Sequence, residues 1–459
     1  AGVVNVTSSN GNNHHTNVEP SSAGHPSFYG KTETSGHFFR GSRQPRTDRT
    51  RPKEEHRAPL PEAEENAPTL PGNSLSVVPK RPPRDAACRA LDKEIASSQT
   101  PADAFSVAEK AGSSMDAANW ANLVYAMAHF QKHSPEAEYD VDGRMVPSFI
   151  SRDPRWAHCS REAQKHLNGM TARDTANILW ALATLGFKSD ALFMEAADAL
   201  RGKIAVCDPI SVSKAAWALT AIPNREKRFE LFNHLAVPVV LRAEVFPIGA
   251  LTMTCYAFAK AAHLDANVYD GLSAAIQRYE KDDFRPIDVC NIVWAFCTVG
   301  YRDDRLFTRV CDDHLTDTNT LKGYNPQDLS NTAWGFSKVI FRHESAMNAL
   351  ALEGVRQCLK FKPIHFTNFL YSFATMRLKG PDGFLNNLAD VAVKRVREFD
   401  SGHLSIVIWS LAMLKQSHAL IDEALLVILQ PHVCRTMASR TLSMLFLAFF
   451  RFGRIVDAD

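Results

Sequence analysis

From about residue 85 onward the apolar positions recur with a helical period, and the same pattern returns about every 38 residues. The units are aligned on an aromatic residue, which in eight of nine cases is followed by Ala, Gly or Ser and then a large apolar residue. Taking the aromatic as anchor places units at Tyr125, Trp180, Trp217, Tyr256, Trp294, Trp334, Tyr371, Trp409 and Phe446. Their spacings are 55, 37, 39, 38, 40, 37, 38 and 37 residues. The long first interval predicts a loop insertion near 131–156, where Pro135, Gly143, Pro147 and Pro154 fall.

The boundaries of a first helix are legible in most units. Nine residues before the anchor stand Asp116, Thr171, Asp208, Asn325 and Asp400, whose side-chain oxygens can cap a helix N-terminus. Eight before it stand Pro209, Pro286, Pro326 and Pro363, which suit the first helical position. Gly186 and Gly300, six after their anchors, fit a left-handed helix end. A second helical pattern follows, as at 191–201, 304–315 and 345–359, and a leading hairpin is predicted over 91–111. Stacked hairpins of this length give an all-α fold, an α-solenoid of about nine 38-residue helical hairpins.

Composition separates off the N-terminus. Between Pro20 and Pro83 lie 11 of the 24 prolines, among Ser, Asn, Thr and His, and the first 84 residues contain no Trp. Residues 1–84 are therefore expected to be a disordered segment or linker, with the helical array over 85–459. The first 50 residues hold five Lys or Arg and three acids, which also fits a transit remnant. A net charge of +2 excludes nucleic-acid binding through bulk charge alone. Nine cysteines without a CxxC pair indicate neither a disulfide framework nor a zinc ribbon, and no apolar run is long enough to span a membrane.

Charge changes the picture when read by helix face. With the anchor at 0° and about 100° per residue, one side of the first helix is apolar and faces the second helices. Small residues one and three after the anchor occupy the flanks, where neighbouring first helices approach. The remaining face holds the positions seven, four and three before the anchor and four after it. Across nine units these positions contain no Asp or Glu, where about four would be expected by chance. They carry Arg173, Lys214, Lys260, Lys338 and His129, with Asn122, Asn177, Asn291, Asn331 and Asn368 three before their anchors. A groove lined by amides, hydroxyls and scattered cations suits a polyanion read one unit per repeat. The alternative is that Asn and small residues let first helices pack while the amides satisfy neighbouring groups. The anchors read as core or inter-repeat wedges rather than platforms for stacked bases.

The run Asn325-Pro-Gln-Asp-Leu-Ser-Asn-Thr-Ala-Trp-Gly-Phe-Ser-Lys338 resembles the first helix of the octotricopeptide repeat, a 38-residue hairpin of organelle RNA-binding proteins. Residues 175–186 and 288–300 are similar to it as well, and the units at Lys214, Met253, Ile406 and Ser443 lack its Asn. The resemblance implies a right-handed stack and sequence-selective binding of single-stranded or ribosomal RNA in a mitochondrion or plastid. It also implies support of RNA processing, stability, translation or ribosome assembly. Many relatives end in a RAP domain, which is not expected before Asp459. At one base per repeat the footprint would be about nine nucleotides. Near-balanced charge after residue 100 keeps open a protein-binding scaffold, or a structural subunit of an organelle ribosome or other large complex.

Catalytic signals are weak. Gly24 to Thr32 ends in Gly-Lys-Thr but lacks the spacing of a phosphate loop. His129 and His133 sit four apart without a third ligand, and Asp312, Asp313 and His314 read as charged surface. No enzyme activity, metal or cofactor is expected.

Overall fold

The computed structural model describes residues 83–133, 149–187 and 190–453, and every regular element among them is helical. Among the described residues there are nine first helices: Ala117–His133, Ala172–Thr184, Pro209–Leu219, Ile248–Lys260, Pro286–Thr298, Pro326–Lys338, Pro363–Met376, Ser401–Met413 and Ser439–Phe452. Each packs along its length on the next, forming one layer. Second helices from Pro154–Lys165 to Ala419–Ile428 follow the first eight and form the other layer. The second helices touch one another less than the first helices do, so the first-helix layer lies on the inside of the curve. The leading hairpin, Ala86–Ser97 and Pro101–Ala111, packs its first helix on Ala117–His133 and so extends the same layer by one.

Local chemistry sets these boundaries. Thr171, Asp208, Asn325 and Asp400 all cap their helices through side-chain oxygens, and Asn325 accepts from the backbone N–H of both Gln327 and Asp328. Asp328 returns the bond to the Asn325 N–H, closing a capping box. The position six after the anchor is left-handed not only at Gly186 and Gly300 but also at Ala262, Ile340, Arg377 and Lys415. In each case the next N–H reaches back to the carbonyl five residues earlier, as Phe341 does to Phe336 at 3.0 Å.

The ninth unit is in a different register from the one its aromatic residue suggests. Its helix begins at Ser439 and its left-handed end is Gly453. Counting back six from Gly453, or forward eight from Ser439, puts Leu447 and not Phe446 in the anchor's place. The small residue that follows is then Ala448, which is buried. The aromatic criterion misplaces this unit by one residue because Phe446 is adjacent to the structural position.

Large apolar side chains fill the space between the layers. Tyr269, Phe296, Phe307 and Phe336 are buried and meet edge to face in succession, linking the fourth, fifth and sixth repeats. Between first helices the packing is close. A Cβ on Gly335, one after its anchor, would stand 3.0 Å from Val293 Cγ1 of the preceding repeat. This approach fixes the order of the flanks: the residue one after an anchor faces backward, onto residues one before and three after the previous anchor.

Two segments differ from the expected surface or loop. Pro154 opens a helix, and Trp156 is buried in it, stacked on Phe187 at 5.1 Å. Residues 134–148 of the expected insertion lie outside the described residues, as do residues 1–82 with the Gly-Lys-Thr run. Arg84, at the end of the expected N-terminal segment, holds Asp116 at 2.6 and 2.7 Å and also pairs with Asp92. His314 is buried against Phe284 rather than surface-exposed, because a π-helical stretch, Cys311–Leu315, turns it inward. Asp312 and Asp313 do stay outward, bonded to His343 and Arg309 respectively.

Candidate nucleic-acid interface

The anchors form a row along the inner layer. Tyr256, Trp294 and Trp334 are buried and five others are half-buried, and neighbouring rings meet at 5.2 Å for Tyr125–Trp180, 5.1 Å for Tyr256–Trp294 and 5.5 Å for Tyr371–Trp409. They are wedges between repeats, with one edge reaching the inner face.

Cations lie over this row. Lys260 Nζ is 5.5 Å from the centre of the Tyr256 ring, and Lys338 Nζ is 5.5 Å from that of Trp334. Both stand four residues after their anchors, one turn along the same helix face. His129, at the same position, packs against Tyr125 at 4.6 Å and Trp180 at 5.4 Å. Lys214 reaches further. Its ammonium donates to Asn177 Oδ1 at 2.9 Å and to Tyr125 Oη at 3.0 Å, and lies 4.5 Å from the Tyr125 ring centre. A side chain of the third repeat thus touches the first, which requires an inward curve.

The asparagines are less open than the helix-face reading suggests. Asn291, Asn331 and Asn368 are buried, and Asn122 and Asn177 half-buried. Asn368 Nδ2 donates to Asn331 Oδ1 at 3.4 Å across adjacent first helices, and Asn122 donates to Asp92 at 2.8 Å. Asn177 accepts from Lys214 as above. The amide oxygen of Asn291 has no hydrogen-bond donor within reach. Arg173 is exposed and pairs with Asp208, the cap of the next helix, at 3.2 Å. Acids absent from the face positions themselves therefore enter from a neighbouring cap and from the leading helix.

The corrected ninth register adds two residues that sequence reasoning missed. Arg440 takes the position of Arg173, seven before the anchor, and Arg451 that of Lys260 and Lys338, four after it. The signals that could have found them were Ala448 and Gly453, the small residue and the helix end. Burial lowers the pKa of both Lys338 and Arg440, and the Arg440 charge lowers Lys338 further. Among the described residues no three His, Cys, Asp or Glu side chains are grouped so as to hold a metal ion, and no helix is long and apolar enough to cross a membrane.

No curated protein matches the chain. Among solved structures, the one titled "Homology model of the full-length AP-3 complex in an intermediate open conformation" aligns over 80% of this chain and 75% of its own at 11% identity, with a TM-score of 0.26, too low to carry an argument. Residues 282–421, which hold four first helices with Asn291, Asn331, Lys338 and Asn368, match the family described as RNA-editing substrate-binding complex 6 protein. The match is to that description and not to the octotricopeptide family by name, and what it supports is an RNA-associated helical protein.

Proposed function

We propose that the protein is a non-catalytic RNA-binding subunit of an organelle RNA-handling complex, in a mitochondrion or plastid, and that it holds single-stranded RNA along the inner face of its first helices. The observation that carries this reading is the row of anchor rings overlain by Lys214, Lys260 and Lys338 on a face with no acid at its own positions. Cations over ring edges can pair with phosphates while the polar face stays open to bases. The match of residues 282–421 to a protein named for an RNA-editing substrate-binding complex supports both the RNA and the place in an assembly. A role in processing, translation or ribosome assembly, and the octotricopeptide identity, are finer parts of the same proposal.

The buried asparagines are poor probes, since their loss changes helix packing as well as the groove. Arg173, Lys260 and Arg451 are exposed and serve better. The test selects single-stranded RNA from a random library with the full chain, then measures affinity against salt. Binding is expected to weaken steeply with salt, and replacing the three cations with Ala should flatten the log–log slope by about 0.7 for every phosphate no longer neutralised. Selection of nothing above background, or a slope that the variant leaves unchanged, would overturn the reading.

A further inference from the structure

We propose that the edge of the array at the N-terminal ends of its sixth to ninth first helices is a second RNA surface, which takes the phosphate backbone of a paired stem. It lies outside the groove and rests on the reading above only in taking RNA as the polyanion. The linkers that lead into these four helices, with the last turn of Phe384–Lys394, carry Lys322, Lys360, Lys362, Lys394, Arg397 and Arg435. All six are exposed, and among the described residues no ion pair engages any of them. The acids of the same linkers are already engaged. Glu398 pairs with Arg395, Asp400 caps its helix and pairs with His403, and Asp317 caps Thr318–Leu321. The linkers are tied edge to edge: Gln357 donates to the Tyr324 carbonyl at 2.9 Å, and Arg395 to that of Phe361 at 2.7 Å. With about 8–10 Å between adjacent helices, the cations line an edge about 25–30 Å long.

The charge of this edge is local. Twelve before the anchor stand Lys322, Arg397 and Arg435 in the sixth, eighth and ninth repeats, whereas the fourth and fifth have Glu244 and Asp282 there. Glu280 and Asp283 make the fifth linker more acidic still. The sign therefore changes between the fifth and sixth repeats, and a polyanion on this edge is confined to its C-terminal half. The partner's chemistry follows from what accompanies the cations. The rings of these linkers, Tyr324, Phe361 and Phe399, are all buried, so the edge offers no platform on which an unpaired base could stack. A paired stem needs none, because its bases face inward and its phosphates outward. A bilayer is a poorer match: the large apolar side chain exposed among these linker residues is Leu359, where an interfacial element presents a whole apolar face. The first groove position, seven before the anchor, lies in the first turn of each of these helices, so a stem on the edge adjoins a strand on the inner face.

The test measures binding of the full chain to a blunt RNA duplex and, separately, to the unpaired strand selected as above. The variant combines Lys360→Gln, Lys362→Gln, Lys394→Gln and Arg397→Gln. All four side chains are exposed, so its melting temperature should hold. Its affinity for the duplex is expected to fall about tenfold, with the salt slope flattened by about 0.9 for each phosphate no longer neutralised, while the unpaired strand binds as before. Replacing Arg173, Lys260 and Arg451 with Ala should do the converse. Duplex binding that the edge variant lowers, without any binding of the unpaired strand, would sink the groove and leave the edge. No duplex binding, or a variant that binds the duplex as tightly as the parent, would overturn the proposal. So would an equal loss of the unpaired strand, displacement of the duplex by polyglutamate of the same charge, or tighter binding to phosphatidylserine vesicles than to the duplex.

Discussion

At the residue scale the molecule is governed by how closely its first helices approach. Gly335 occupies one such close approach, and Gly335→Val would drive two methyl groups into the backbone and side chain of Val293. We expect a loss of about 1–3 kcal/mol, read as a lower thermal midpoint, with helix content retained. His365 is the second case. It is buried in a first helical turn, its Nδ1 accepts from the Lys362 N–H at 3.1 Å, and burial, helped by the Lys362 charge, pushes its pKa down to about 4. The folded state holds the ring neutral while the unfolded chain takes a proton near pH 6.5. Stability from this residue is therefore complete above pH 6.5 and is lost as pH falls toward 4, by up to about 3 kcal/mol. Denaturant midpoints measured between pH 7 and 4 should fall, and the fall should shrink in His365→Gln. The sequence placed the small flank residues on their helix face, because periodicity encodes direction. It could not show that Asn368 would pair with Asn331 while Asn177 meets Lys214 and Asn122 meets Asp92, since which group an amide meets depends on the offset between adjacent helices.

At the element scale, most helix starts were legible because a cap is local chemistry: an oxygen at one residue meets an N–H two or three further on. Helix ends were half legible. Two glycines marked the left-handed position, yet four other residues adopt it, among them Ile340 with φ 52°. A β-branched residue is strained there, and its side chain is partly exposed, so little burial is lost on removing it. Ile340→Gly is expected to raise stability by about 0.5–1 kcal/mol, whereas Ile340→Val should not, which a pair of thermal melts would show. The misplaced ninth anchor has the same origin. In a unit with phenylalanines at 446, 449 and 450 an aromatic ring is a less specific marker than the small residue and the helix end.

At the scale of the whole molecule, each repeat is held by its neighbours alone, so stability is a sum over interfaces and the ends are the weakest members. The N-terminal end is tied down by Arg84, which grips both the leading helix through Asp92 and the first cap through Asp116. The ninth helix has a neighbour on one side only among the described residues. Hydrogen exchange should therefore be faster in 439–452 than in the fourth to sixth repeats. Arg84→Ala should speed exchange over 86–111 and leave the centre unchanged. The repeat, its length and the two-layer arrangement were all legible from spacing. The curvature was not, because it depends on how much the inner and outer layers differ in packing.

Lys214 gives that curvature a mechanical meaning. Its ammonium joins the second repeat at Asn177 and the first at Tyr125, so it acts as a short tether across three coils of a spring. Stretching the array at that end must break the tether before the coils can separate, whereas a stretch that opens other coils does not. Pulled from its two ends, the molecule should yield at other repeats first and keep its first three coils wound until a higher force, and Lys214→Met should bring the two events together.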